Sequence, residues 1–199
     1  MESSQSVSWP VPVRLCRGGY GACVGFTWAH ALSSLGTTVD DKFAIESIYW
    51  EAQRIDSYPG GSYPGAHPIS AGTSVRAGAQ VVQGLGLIRD CLWLQTIDEV
   101  LAAVTSIGPV VFGCEWHREM SKPDHYGFVL PAGGKRGRHC ILLNEIHTKQ
   151  ATETTIDPAE SWLGFINSFG PEWGLNGGAR IRIINMYDLM SSMEACVPL

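Results

Sequence analysis

Hydrophobic residues along the chain follow two rhythms. Up to about residue 108 they recur at helical spacing; beyond it they gather in short β-rich runs punctuated by Gly, Pro and Asn. CVGFTWAHALSSLG (23–36) lies in a run from Cys23 to Val39 without one formally charged residue. It predicts a helix buried on most sides and stopped at Gly36. DKFAIESIYWEAQRID (41–56) predicts a second. Phe43, Ile45, Ile48, Tyr49 and Ala52 recur at helical spacing, Glu46, Glu51 and Arg54 fall between them, and Asp40 stands where an N-cap belongs. A third helix is predicted over 73–86 with Thr73 or Ser74 as cap. A fourth is predicted over 96–108, opened by the capping-box pair Thr96 and Glu99. The Pro/Gly loop 57–72 is long for a compact domain, which marks it for function. Strands are predicted within PVVFGCEWH (109–117), HCILLNEIHT (139–148), SWLGFIN (161–167) and GARIRIIN (178–185). Residues 1–13 are Ser-rich, then broken by Pro10 and Pro12, as in extended chain or an edge strand. This segregation predicts an α+β protein, with a mainly helical lobe over 1–108 and a β-rich lobe over 109–199 in one compact unit.

Composition narrows the class. At 199 residues the chain can bury a core without metal or disulfide staples. Charged residues make up 17%, below the roughly 25% usual in soluble domains, so much of the surface is uncharged loop. The net charge is -5, and the longest basic cluster is KRGR at 135–138, so no nucleic-acid partner is expected. No apolar run approaches the ~18 residues that span a bilayer, so no membrane partner is expected either. MESSQSVSWP lacks a basic segment followed by an apolar one, which predicts a cytoplasmic protein. The cysteines at 16, 23, 91, 114, 140 and 196 are then expected to stay reduced.

Cys23 is the leading chemical candidate. It follows a glycine loop and opens an apolar helix, where the helix dipole and unpaired N–H groups favour thiolate. Glycines 18, 19, 21 and 25 would let a substrate backbone come close. The structural alternative is an inert core cysteine. A nucleophilic cysteine needs a base, and the base an orienter. His139 stands where a Gly-rich loop meets an apolar strand; His30, inside the uncharged helix, reads as a core residue. Asn167 ends an apolar strand before a Gly- and aromatic-rich loop, where its amide oxygen can accept an imidazole N–H and set the tautomer. The structural alternative there is a packed β-hairpin. Two other chemistries fit poorly. GACVG (21–25) has the form of an α/β-hydrolase elbow but leaves no room for preceding βα units. Cys114, His117, His139 and Cys140 are awkward as zinc ligands because the last two are adjacent.

GACVGFTWA, RHCILLN and INSFGPEWGLNGGARIRI, in that order, resemble the papain-like cysteine peptidases, in particular compact types without a propeptide from bacteria and phages. The third motif is the most specific, fitting at Asn167, Ser168, Gly170, Trp173, Gly174, Asn176 and Gly177. The Cys23–His139 interval is a little shorter than the about 130–150 residues usual in that family. The resemblance implies a two-lobed fold, a helical N-terminal lobe carrying the nucleophile and an antiparallel β-barrel-like C-terminal lobe carrying His and Asn. It implies a cysteine endopeptidase in which a Cys23 thiolate forms an acyl-enzyme, His139 is acid and base, and Asn167 orients it. Phe169 stands for the shielding tryptophan and, with Trp173, covers the pair. Gly21, Gly72 and Thr73 are implied to flank a peptide or protein substrate, and neither metal nor organic cofactor is implied.

The departures are Val24 for an aromatic, Tyr20 for a cysteine that would form a disulfide, and Arg17 where the family has an oxyanion-hole glutamine. Arg17 can donate in its place, or mark a weak or inactive protein that binds a peptide or protein partner. A third reading is an amidase or acyltransferase acting on cell-wall peptides. With the nucleophile at position 23, no propeptide is expected ahead of it. A microbial or viral origin is implied, the viral case placing the protein in host cytoplasm or virion.

Overall fold

The computed structural model describes residues 4–16 and 21–199. Five α-helices and seven strands alternate along it, with a π-helical run before the second helix and one short 3-10 turn. Strand β1 is Ser4–Ser8. Helix α1 is Cys23–Ser34, uncharged and buried over nearly all its length, as its composition requires. The second predicted helix begins with π turns over Phe43–Tyr49 and continues as α2, Trp50–Ile55. Asp40 Oδ1 accepts from the Phe43 N–H at 2.7 Å near its start. Helix α3, Val75–Gly84, has Ser74 as N-cap, its hydroxyl accepting from the Ala77 N–H. Helix α4, Ile97–Ser106, carries the full Thr96/Glu99 capping box. No described helix is long and apolar enough to cross a membrane.

The strands β2 (Cys91–Leu94), β3 (Val110–His117), β4 (Lys135–Lys149), β5 (Trp162–Ile166), β6 (Gly178–Arg182) and β7 (Glu194–Pro198) make one open antiparallel sheet in the order β2-β7-β3-β4-β5-β6. Strand β1 adds to β4 beyond the end of β3, pairing Val7 with Ile146. The antiparallel sheet removes the doubly wound scaffold that a hydrolase elbow at 21–25 needs. The structure departs from the predicted pattern at α5 and β2. The run read as strand to residue 185 ends at Arg182 and turns into helix α5, Ile183–Met190, whose Ile183, Met186 and Leu189 are buried. β2 brings a strand from the helical first half of the chain into the sheet, whereas β1 is the extended segment expected within residues 1–13.

The sheet separates two cores. Alternate side chains of β3 and β4 go to opposite faces, the period of two that a strand imposes. Val111, Cys140 and Leu142 pack with Phe26, Trp28 and Leu32 of α1. Phe112, Cys114, Ile141 and Leu143 pack with Val100 and Val104 of α4 and Met186 of α5. Each large apolar side chain buried this way is worth about 1.5–3 kcal/mol. Helix α1 lies so close to the π-helical run that a Cβ on Gly25 would stand 2.4 Å from the Ala44 carbonyl oxygen. One hydrogen bond then ties α1 to the sheet: Thr27 Oγ1 donates to the Cys140 carbonyl at 3.0 Å, buried.

Candidate active site

The Thr27 bond sets the geometry of the site. Thr27 lies one helical turn after Cys23, and Cys140 directly follows His139, so the first turn of α1 is held against the start of the apolar half of β4. Cys23 and His139 line one cavity of about 810 Å³. They are 8% and 5% exposed.

Asn167, at the end of β5 and 1% exposed, meets His139. Its Oδ1 is 2.8 Å from His139 Nε2 and also accepts from the Ser168 backbone N–H at 2.8 Å. A backbone N–H can only donate, so the atom facing it is the amide oxygen, and His139 Nε2 must carry hydrogen. In the neutral ring Nδ1 is then the basic nitrogen. Asn167 is fixed in turn by its N–H to the Gly177 carbonyl at 2.9 Å. The loop between them folds back sharply: Gly174 has φ +58° and a Cβ there would fall 2.2 Å from the Gly178 carbonyl oxygen.

Aromatic rings enclose the imidazole. Phe169 stacks on it with centroids 5.0 Å apart, and Trp173 meets Phe169 edge-on at 5.3 Å. Trp116 of β3, which the sequence did not single out, meets the His139 ring at 4.7 Å. Its position follows from strand register, with Gly137 opposite it leaving room. His30 is buried and accepts from the Leu15 N–H at 3.0 Å through Nε2. Burial, with the charge of Arg14, lowers its pKa to about 3, so it stays neutral as a core residue.

The loop 57–74 forms the other wall. Gly21, Gly72 and Thr73 line the same cavity as Cys23. Gly72 donates its N–H to Tyr49 Oη at 2.9 Å, and its carbonyl accepts from Gln53 Nε2 at 3.1 Å. Thr73 Oγ1 donates to Asp56 at 2.6 Å. Burial alone would raise the Asp56 pKa, but the hydrogen bonds from Thr73 and Ser74 bring it below the ordinary carboxylate value. Gln53, also unforeseen, is buried; its Oε1 accepts from the Ser62 N–H at 2.8 Å. Arg17 lies outside the described residues.

The other thiols near Cys23 are poor nucleophiles. Burial pushes Cys114 up to about 12, with Arg138 opposing and the charge of Cys23 adding. Burial and then the charge of Cys23 raise Cys140 well above the ordinary thiol value. These two face opposite sides of the sheet, so Cys114, His117, His139 and Cys140 do not converge. No three His, Cys, Asp or Glu side chains gather as a metal site among the described residues. None of the six cysteines is in a disulfide.

No family model matches the chain, and no curated protein sequence matches it. Among solved structures it is similar to xylellain, a cysteine protease from Xylella fastidiosa, at 14% identity and a TM-score of 0.66 over 98% of this chain and 86% of that one. The mixed arrangement of helices and antiparallel sheet described above is the fold that this chain shares with that cysteine protease.

Proposed function

We propose that the protein is a papain-like cysteine peptidase that cuts peptide bonds through Cys23, with residues 1–108 supplying the nucleophile and 109–199 the His–Asn pair. The observation that carries this reading is the double acceptance at Asn167 Oδ1. It keeps a proton of His139 on Nε2, which supports a reading in which Nδ1 exchanges the proton of the thiol lining the same cavity. The fold shared with a cysteine protease supports it.

Cys23 occupies the first turn of α1, where the positive end of the helix dipole stabilises thiolate. The thiolate attacks the scissile carbonyl carbon. The Cys23 N–H stabilises the oxyanion. Protonated His139 gives its Nδ1 proton to the leaving amine as the C–N bond breaks. Water, deprotonated by the same nitrogen, then attacks the thioester and the thiolate departs. Phe169 and Trp173 keep water from the His139–Asn167 bond. Replacing Cys23 by Ala is expected to abolish peptide hydrolysis and labelling by thiol-directed peptidase inhibitors; hydrolysis that survives the substitution refutes the assignment.

A further inference from the structure

The tract KRGR is the sequence feature that this mechanism leaves unused. It forms the exposed start of β4, directly ahead of His139, in a chain whose net charge is -5. Lys135 is matched by Glu115, 2.5 Å away across the strands. Arg136 and Arg138 have no carboxylate partner among the described residues. Arg138 donates once, to the Ser192 carbonyl at 2.8 Å, which steadies the side chain and leaves most of its donors unused.

His139 stands between two cavities. One holds Cys23, Gly21 and Gly72. The other, of about 630 Å³, is lined by Trp116, Phe169, Trp173, Arg136 and Arg138, without Cys23. Acyl transfer distinguishes them. The acyl half of a substrate stays on Cys23, whereas the amine half leaves with the proton that His139 supplies. The first cavity is then the acyl side, and the leaving half runs past the imidazole into the second. Arg136 lines the second alone, and Arg138 lines both. The carboxylate of the acyl-side wall, Glu194, is already engaged, accepting from the Val75 and Arg76 N–H groups at 2.9 Å each.

We propose that the leaving-group side of the site selects a carboxylate, held by Arg136 and Arg138 beside the Trp173–Phe169 pair. The carboxylate comes from an acidic side chain just after the scissile bond or from the substrate's own C-terminus. The inference rests on the peptidase reading. A guanidinium presents a planar fork that matches a carboxylate, and a local cationic patch offsets the repulsion an acidic peptide meets from a negatively charged protein.

The test compares peptide libraries with Glu or Gln on the leaving side, each as free acid and as C-terminal amide. The carboxylate-bearing member is expected to have about tenfold higher kcat/KM, an advantage that shrinks with added salt. In Arg136→Gln/Arg138→Gln the ratio is expected to approach one. The Glu/Gln arm identifies a side-chain carboxylate, and the acid/amide arm a chain end. Equal rates in both arms for the unaltered protein, or an advantage that the double variant keeps, overturn the proposal. Alkylation of Cys23 by iodoacetate against iodoacetamide separates this failure from that of the peptidase reading. If Cys23 alkylates readily but the double variant leaves the reagent ratio unchanged, the arginine pair does not act on the site and this inference alone fails. If Cys23 resists both reagents and no peptide is cut, both fail.

Discussion

Asn167 fixes which nitrogen of His139 holds its proton, because a donor that cannot reverse its role, the Ser168 N–H, occupies the other side of the same oxygen. Replacing Asn167 by Ala frees the ring to turn and to change tautomer. The expected result is a fall in kcat of about 10–100-fold, part of the ~10²–10⁴ that positioned acid–base groups contribute, with KM little changed. Steady-state kinetics check this, and an unchanged kcat would remove Asn167 from the mechanism. The meeting of His139 with Asn167 is legible in sequence because both stand at junctions of apolar strands with Gly-rich loops. Trp116 and Gln53 are not legible in the same way. Trp116 reaches the imidazole only through the β3–β4 register, and Gln53 reads as one polar position on an amphipathic helix until the loop 57–74 is folded onto it.

Helix α1 and strand β4 carry the two reacting groups, and the buried Thr27–Cys140 bond joins them. Thr27→Val keeps the shape of the side chain but leaves a carbonyl unmet, a cost of about 1–3 kcal/mol. The expected outcome is a lower denaturant midpoint together with slower alkylation of Cys23; a variant with both unchanged would show that other packing aligns the two elements. The elements themselves are largely readable from local pattern. Caps at Ser74 and Thr96, and apolar runs on β3, β4 and β5, are signals contained within a few residues. Strands β2 and β7 escape that kind of reading. β2 has only four residues, and β7 is defined by the neighbours it lies between rather than by its own alternation. The helix α5 is hidden because Ile183 and Ile184 continue a β-rich run.

Across the whole molecule, buried His30 links global stability to acidity. Its folded pKa is lowered to about 3 from 6.5, so between these values the unfolded chain binds the proton and the folded chain does not. Stability is therefore full above pH 6.5 and declines as the pH falls toward 3. His30→Gln keeps an acceptor for the Leu15 N–H and removes the titration. Its denaturant midpoint is expected to fall less steeply over that acid range than that of the unaltered protein; parallel curves would refute the role of His30. The alternation of β4 between the two cores also makes this strand a ruler. An insertion or deletion of one residue between 139 and 143, where the strand is buried and its register with β3 unbroken, would exchange inward sets on both faces at once and carry the imidazole to the wrong side. Homologues of this chain should therefore keep a constant count across that segment and confine their length changes to connections such as 149–161.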